Sequence, residues 1–339
     1  MEYDIVTIGS TTYDSFYKVK FKTVPWETPS GKAYAIPIGE KFGVEEAYFT
    51  TGGNAANASV TFARQGLATA IFTRIGSDTA GTEIQNILDA EGVETKFMSK
   101  SDTPTARGVV LLEDDGERTI LSYRGAIDEF SFKDINLKKL KSNWLYVSLP
   151  GHSYKIFDDI LEHARKNNIR VALNPGGKHL TDGREDLIRH LKDITVLIVN
   201  ESEASTLTGV SFDKPEEVFK KFDEMMPGIA VVTDGPNGVK VSDGERIYSA
   251  GIFKENRIVD RTGAGDAFGS GFVAGLVNRD EACMKGACDP EKIKYAIRMA
   301  SANATSKVEY IGATTGLLTQ DQFETDPRWK DLPIEVKQV

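Results

Sequence analysis

Short apolar runs alternate with amphipathic helical patterns along most of this chain, and this alternation constrains the fold more than any other feature. The helical patterns at residues 81–91 and 154–167 each place their apolar side chains on one face. Strand-like runs joined by such helices bury a parallel sheet under helices on both faces, so we predict the α/β class. The runs that we assign to the sheet are residues 5–8, 70–75, 144–149, 170–173, 195–199 and 229–233.

Two stretches interrupt the alternation, and we assign both to a small second sheet. Residues 98–124 hold two extended runs, 108–112 and 119–123, around a hairpin-type turn at 113–116. Residues 15–50 carry a concentration of aromatic side chains: Phe16, Tyr17, Phe21, Trp26, Tyr34, Phe42, Tyr48 and Phe49. So many rings indicate that the small sheet covers a ligand mouth, a partner subunit or its own thin core.

The rest of the chain forms the predicted large domain, which comprises residues 1–14, 51–97 and 125–339. Its last segment, after Leu318, is mostly polar, and we expect this tail to wrap around the surface. Cys283 and Cys288 lack the CxxC spacing of a zinc site and have no histidine cluster beside them, so we expect reduced thiols.

Charge and hydropathy exclude several kinds of partner. The chain has 41 Lys and Arg against 50 Asp and Glu, a formal net charge of −9, without a basic run. A nucleic-acid partner is therefore disfavoured. The apolar runs are too short to span a bilayer, and we expect no membrane association. Acidic residues near the start, Glu2 and Asp4, stand where a secretory signal would be basic, so we predict a cytoplasmic location.

The strongest local motif is DRTGAGDAF at residues 260–268, which precedes an apolar helical pattern. Its small residues Gly263, Ala264 and Gly265 let the backbone turn tightly and point N–H groups at an anion, beside the positive end of the helix. We predict a phosphate-sized anion hole there. Asp266, in the first helical turn, is the candidate general base for a phosphoryl-transfer reaction.

Other interpretations of this motif exist. An isolated Asp in a first helical turn can simply complement the helix dipole. A dinucleotide-binding motif would need the GxGxxG spacing, which the glycines at 263, 265 and 269 do not have, and a Walker A motif is absent.

A second motif, TGGNAANA at residues 51–58, combines a Gly-Gly turn with two amide side chains on one helical face. Gly53 would let a ligand approach the backbone, and Asn54 and Asn57 suit vicinal hydroxyl groups. Asp14 follows the first strand, at the sheet edge where ligands of α/β proteins bind. A capped helix and an ordinary turn carboxylate are the alternatives.

Two further motifs follow predicted strands. Residues 200–203, NESE, come directly after a buried strand, and Glu203 could hold Mg²⁺ through water. Helix-opening acids are the alternative interpretation. Thr233, Gly235 and Gly238 lie in a glycine-rich turn that could cradle nucleotide phosphates or ribose, although most such turns are only turns.

In their order and spacing, these motifs resemble those of the ribokinase/PfkB carbohydrate kinase family, over residues 4–316. The resemblance implies a ribokinase-like fold, a three-layer α/β/α domain with a mainly parallel central sheet and a small β-sheet lid formed by residues 15–50 and 98–124. It also implies ATP and Mg²⁺, and transfer of the γ-phosphoryl group to a hydroxymethyl group of a sugar. A nucleoside kinase of the same fold, acting on the ribose 5′-hydroxyl, is the alternative.

The resemblance also implies roles for individual residues. Asp266 would be the base, Gly263, Ala264 and Gly265 the anion hole, and Glu203 the support for Mg²⁺. The nucleotide would contact Asn200, Thr233, Gly235 and Gly238, and the acceptor would contact Asp14, Gly53, Asn54 and Asn57. Asp260, Thr262 and Gly312 resemble positions around a loop that binds a monovalent cation, K⁺.

Two departures from the family pattern stand out. Arg261 replaces the usual small hydroxyl residue of the motif, and the lid segment before Gly52 is longer and more aromatic than in compact sugar kinases. The Arg261 replacement questions a K⁺ requirement, and the long lid suggests an acceptor other than a simple free sugar. The lid segments are too small to bury their own rings, so two subunits could pair through them as a homodimer. Lid cations at Arg107 and Arg124 could serve a sugar-phosphate acceptor. A sugar or nucleotide sensor without catalysis and an NAD-dependent oxidoreductase are the competing functions.

Overall fold

The structure is a computed structural model that describes residues 2–27, 31–113, 116–137, 140–278 and 288–339. Two predicted features therefore lie outside the described residues, the tip of the 113–116 turn and Cys283. The strands of the described part are, in chain order, β1 (Tyr3–Gly9), β2 (Thr12–Lys18), β3 (Lys22–Pro25), β4 (Lys32–Ala35), β5 (Glu46–Gly52), β6 (Thr69–Phe72), β7 (Arg74–Gly76), β8 (Ser99–Ser101), β9 (Arg107–Leu112), β10 (Arg118–Tyr123), β11 (Ser142–Ser148), β12 (Arg170–Leu173), β13 (Val196–Asn200), β14 (Ile229–Thr233), β15 (Val239–Ser242), β16 (Arg246–Ala250) and β17 (Ile334–Gln338).

The α-helices lie between and after these strands. They are α1 (Asn54–Arg64), α2 (Thr79–Ala90), α3 (Phe157–Lys166), α4 (Gly177–Thr181), α5 (Arg184–His190), α6 (Glu201–Thr208), α7 (Pro215–Met225), α8 (Ala264–Val277), α9 (Pro290–Val308) and α10 (Gln320–Thr325). Local chemistry sets several of their starts. The Asp78 side chain accepts the Gly81 N–H to cap α2, and Pro215 occupies the first turn of α7, where its missing N–H is harmless.

The main sheet has nine strands in the order β17-β16-β15-β14-β13-β12-β11-β1-β6. From β14 to β6 all pairings are parallel, and the three remaining strands pair antiparallel. The parallel part consists of the strands that the sequence predicts. One predicted run, residues 70–75, is divided: β6 joins the main sheet, whereas β7 pairs with β8 in a separate two-stranded sheet.

Helices cover both faces of the main sheet, because side chains along each strand point alternately to opposite sides. In β1, Val6 and Ile8 belong to the buried cluster that includes Phe157 of α3 and Phe219 of α7. Ile5 belongs to the cluster on the other face, which includes residues of α1, α8 and α9. The predicted three-layer α/β/α architecture is confirmed.

A separate four-stranded sheet has the order β10-β9-β2-β5. The antiparallel pair β9 and β10 forms the predicted hairpin. One face of this sheet is buried around Phe16 and Val110, whereas Phe49 and Leu121 on other parts of it are 56% and 60% exposed. Asp14 lies within β2 rather than in the loop after β1, which corrects its expected position.

The polar tail contributes more to the fold than the sequence suggests. Phe323 of α10 is fully buried and Trp329 is 2% exposed, both in a cluster with Phe253 and Met299. The tail then ends as β17, which pairs with β16 at the edge of the main sheet. The expectation of a surface wrap was wrong for these residues, because two large apolar side chains anchor an otherwise polar segment.

Two further expectations can be compared with the structure. Cys288 is disulfide-bonded, so the expectation of reduced thiols was wrong for this residue. Within the described ranges, none of the helices combines the length and apolar character that crossing a bilayer requires.

We expect Phe323→Ala to lower the free energy of unfolding by about 3–5 kcal/mol, because it leaves a cavity among the residues that anchor the tail. Urea unfolding of the variant and the wild type would measure the change. The matched control is Phe132→Ala, at a position that is 47% exposed, where the loss should stay below about 1 kcal/mol. Equal losses in the two variants would contradict the anchoring role of Phe323.

Candidate active site

The start of α8 has the geometry of an anion-binding turn. Gly263 caps the helix with φ 77°, and a Cβ at this position would lie 2.9 Å from the Cβ of Ala313, so both conformation and space require glycine. The backbone N–H groups of Gly265 and Asp266 have no acceptor among the described residues. A Cβ at Gly265 would meet open space. Two N–H groups at the positive end of a helix therefore face an accessible volume.

Asp266 is half-buried beside this turn and contacts a second predicted site residue. Its Oδ2 accepts a hydrogen bond from Nδ2 of Asn57, on α1, at 2.8 Å. Burial raises the pKa of Asp266 to about 6, and the Asn57 hydrogen bond and the charge of Lys307 oppose that rise. A carboxyl group with this pKa is mostly ionised at neutral pH yet remains close enough to that range to accept a proton.

The other residues predicted to contact an acceptor lie near the start of α1. Gly53 has φ 92°, and a Cβ there would lie 2.7 Å from the carbonyl oxygen of Ser10. The side-chain amide of Asn54 contacts that of Asn174 at 3.4 Å. Gly53 and Asn54 line a cavity of about 330 Å³, which we call the first cavity.

Asp14 lies in the four-stranded sheet, where its carboxylate packs closely against Gly52 and Gly108. A Cβ at Gly52 would lie 2.0 Å from its Oδ2, and one at Gly108 would lie 2.6 Å from its Oδ1. Burial raises the pKa of Asp14, while hydrogen bonds from Thr12 and the Gly108 backbone oppose the rise. Asp14 is absent from the lining of the first cavity among the described residues, so its contact with an acceptor stays a prediction.

The glycine-rich turn after β14 and the anion-binding turn share a second cavity of about 210 Å³. Thr233, Gly235 and Gly238 line it together with Ala264 and Gly265. Its remaining walls include the apolar residues Ile252, Ile258, Phe268, Ala304 and Val308. The predicted nucleotide residues and the predicted anion hole therefore face the same space, and the apolar walls suit a flat aromatic group.

Asn200 and Glu203 form a reciprocal capping box at the start of α6. The Asn200 N–H donates to Oε2 of Glu203 at 2.9 Å, and the Glu203 N–H donates to Oδ1 of Asn200 at 3.0 Å. Asn200 pairs with Thr233 in the sheet, which brings the box to the same strand edge as the second cavity. Neither residue is among the described residues that line that cavity.

The capping box leaves part of Glu203 available for a metal. Its Oε2 accepts the Asn200 N–H, and burial raises the pKa of its carboxyl group against the hydrogen bonds from the Asn200 backbone and side chain. A single carboxylate oxygen fits Mg²⁺, which keeps most of its waters and binds substrate phosphates directly. No larger cluster of potential metal ligands occurs in the described part of the chain.

The residues predicted around a cation loop also come together, around a lysine that sequence reasoning missed. Asp260 is fully buried, its Oδ1 accepts the Thr262 N–H at 2.8 Å and its Oδ2 accepts the Gly312 N–H at 3.0 Å. Lys307 donates from Nζ to the Asp260 carbonyl oxygen at 2.6 Å. The position of Lys307 on the apolar face of α9, in helical register with Ala296, Ala300 and Asn303, was the available signal.

Comparisons with known proteins show which family the chain resembles. The model of the pfkB family of carbohydrate kinases matches residues 30–320. The chain is 28% identical over 333 residues to a ribokinase of Haemophilus influenzae, covering 95% of this chain and 97% of that protein. It is 25% identical over 336 residues to an ATP-dependent 6-phosphofructokinase of Thermoanaerobacterium thermosaccharolyticum, covering 96% and 94%.

A solved structure shows the fold in common. The nucleoside kinase of Methanocaldococcus jannaschii, an archaeal member of the ribokinase family, superposes with a TM-score of 0.74 at 19% identity, covering 97% of this chain and 99% of that one. The chain belongs to the pfkB family of carbohydrate kinases, as the family resemblance predicts. The predicted ribokinase-like fold is likewise confirmed.

We expect Asp266→Asn to stabilise the protein at neutral pH. Because the folded-state pKa of Asp266 is raised to about 6, the stabilisation that its bound proton provides is lost as pH rises through that value. Asparagine avoids this loss and can still accept the Asn57 hydrogen bond. The gain should reach up to about 3 kcal/mol above pH 7 and shrink below pH 6.

Urea unfolding between about pH 5 and pH 8 measures this pH dependence. Asp331→Asn, at an exposed position, is the control and should change stability little at any pH. A gain for Asp266→Asn that did not vary with pH would contradict the raised pKa.

Proposed function

We propose that this chain transfers the γ-phosphoryl group of ATP to a hydroxymethyl group of a sugar, with Asp266 as the general base. The observation that carries the proposal is the position of Asp266. It lies at the start of α8, next to Gly265, which lines the second cavity, and hydrogen-bonds Asn57 of α1, the helix whose first residue lines the first cavity. An acceptor hydroxyl and a phosphate could meet there.

In the proposed mechanism, the acceptor oxygen attacks the γ-phosphorus while its proton passes to the Asp266 carboxylate, and ADP leaves. The N–H groups of Gly265 and Asp266, with the turn at Gly263 and Ala264, hold the oxygens of the transferring group. Mg²⁺, when bound with ATP, neutralises phosphate charge. Glu203 would hold that ion through water, and Asn200 orients Glu203 through the capping box.

The second cavity would hold the nucleotide. Thr233, Gly235 and Gly238 supply polar and backbone groups at one end, next to the proposed anion hole. The apolar walls at Ile252 and Val308 would contact the adenine ring. This arrangement puts the phosphates at the start of α8, where the helix dipole favours negative charge.

The first cavity would hold the acceptor under a lid. Its lining includes Ser122 and Tyr123 of β10, in the four-stranded sheet, which supports the assignment of residues 15–50 and 98–124 to a lid that excludes water. Asn54, Asn57 and Asp14 would bind the acceptor hydroxyls. Pairing of two lids in a homodimer and a cytoplasmic location remain predictions.

A nucleoside acceptor is the second candidate, because the aromatic ring of Tyr123 lines the first cavity and could stack on a base. The cavity also has cations at Arg124 and Lys178, whereas Arg107 is not among the described lining residues. Arg124 and Lys178 have carboxylate neighbours, Asp128 at 3.7 Å and Asp182 at 3.1 Å. A sugar-phosphate acceptor would therefore compete with these ion pairs.

An acceptor panel with ATP and Mg²⁺, measured by ADP release, tests the activity and selects the acceptor. The panel comprises ribose, fructose, 2-keto-3-deoxygluconate, fructose 6-phosphate, adenosine, inosine and cytidine.

With the best acceptor, Asp266→Asn should lower kcat by about 10²–10⁴ while ATP binding persists, because asparagine cannot accept the proton. Near wild-type turnover would exclude Asp266 as the base. ATP binding without turnover of any acceptor would favour a sensor, and NADH binding would favour an oxidoreductase.

Glu203→Gln tests the proposed metal role separately from the helix cap, because glutamine at this position preserves a capping box. We expect the Mg²⁺ concentration for half-maximal rate to rise several-fold, with the acceptor KM unchanged. Asn200→Asp, which keeps the cap and adds charge, is the companion variant and should not raise the Mg²⁺ requirement. A change confined to the acceptor KM would refute the metal role.

A further inference from the structure

A lysine ammonium is buried at the base of the proposed anion hole. The side chains of Lys307 and Asp260 are both 0% exposed, and their charged groups lie 3.5 Å apart, between Nζ and Oδ2. The same Nζ donates to the Asp260 carbonyl oxygen at 2.6 Å. Burying a charge is costly unless it is paired and hydrogen-bonded, and this pair is both.

Asp260 links this ammonium to two backbone segments that shape the anion hole. Its carboxylate accepts the N–H groups of Thr262, one residue before the cap of α8, and of Gly312. Gly263 and Ala313, the residues that follow each of these, are packed so closely that a Cβ at Gly263 would lie 2.9 Å from that of Ala313. Moving Asp260 would therefore shift the helix cap and the segment that supports it.

The family resemblance implies a monovalent cation at this loop, and the residues present do not fit one. A K⁺ ion would need the oxygen atoms of Asp260, but the Lys307 ammonium already bonds its carbonyl oxygen and faces its Oδ2. A second positive charge within a few ångströms would be repelled strongly, because both side chains are fully buried. The loop thus contains its own cation.

We infer that the Lys307 ammonium takes the place of the monovalent cation, so that this protein needs no K⁺. Lys307 is a positioning residue: it holds Asp260, and through Asp260 the turn that presents Gly265 and Asp266 to a phosphate. The statement about activity rests on the proposed phosphotransferase function. The statement about ion binding does not, because it concerns the folded protein alone.

The first test compares the wild type in potassium, sodium and tetramethylammonium chloride at equal ionic strength. We expect the melting temperature to differ by less than about 1 °C between the salts. The phosphorylation rate, measured with the acceptor that the panel identifies, should differ by less than about twofold. A several-fold activation by K⁺, or a melting temperature raised by K⁺ alone, would overturn the inference. The melting arm remains valid if no kinase activity is found.

The second test removes the ammonium. Lys307→Ala leaves space beside Asp260, so we expect a lowered melting temperature that K⁺ raises more than tetramethylammonium does, with a rate at least about tenfold below wild type that K⁺ partly restores. Lys307→Met keeps the stem and blocks the space, so K⁺ should restore neither property. Equal responses of these two variants to K⁺ would overturn the inference.

Lys294→Ala is the matched control on the same helix. Lys294 forms a surface ion pair with Glu291 at 2.7 Å. Its removal should leave melting temperature and rate near wild type in every salt. If Lys307→Ala does not fold, the salt series on the wild type still decides the question, since a K⁺ requirement there contradicts the inference directly.

Discussion

Burial of both faces of the main sheet is the constraint on which the rest of the molecule depends. With helices on each side, polar groups can reach a ligand only where strands end. Asn200 and Thr233 end the neighbouring strands β13 and β14, and β1 ends at Gly9, where a Cβ would lie 2.1 Å from the Ser148 carbonyl oxygen. The segments that follow these strands therefore begin at one edge, where Ser10 lines the first cavity and Thr233 and Gly235 line the second.

The contact between α1 and α8 joins the residues of the proposed reactive site at that edge. Asn57 on α1 holds the Asp266 carboxylate on α8, and one turn further along, the hydroxyl groups of Ser270 and Thr61 lie 2.8 Å apart. The same packing removes water from Asp266 and raises its pKa to about 6. Ionisation of this carboxyl group therefore opposes folding, and with Asp266 as the proposed base, the proposed function and the stability of the protein conflict at this residue.

The sequence predicts those features that depend on neighbouring residues along the chain. The six parallel strands, the hairpin of β9 and β10 and the glycine-dependent turn at Gly263 follow from periodicity and from the conformational freedom of glycine. The contact between Asn57 and Asp266 spans 209 residues, and its formation depends on which helix faces meet, so no local pattern reports it. The capping box of Asn200 and Glu203 was not predicted, because the alternative for these residues was helix-opening acids, although the Asn-x-x-Glu spacing is typical of such a box. Lys307 was overlooked because a lysine is almost never fully buried unless it is paired, and its partner Asp260 lies 47 residues away in the sequence.

Two cationic side chains form ion pairs at the turn of the anion-hole motif. Arg261 pairs with Glu117, next to β10 of the four-stranded sheet, at 3.3 Å, whereas the buried Lys307 pairs with Asp260. The side chains of Arg261 and Glu117 are both partly exposed, so their ion pair adds little stability. What the pair does is connect the turn to the four-stranded sheet. The turn that forms the anion hole is consequently tied on one side to the sheet that walls the first cavity and on the other to a buried cation. Under the proposed function, a movement of that sheet over the acceptor would act on the anion-hole turn through the pair of Arg261 and Glu117.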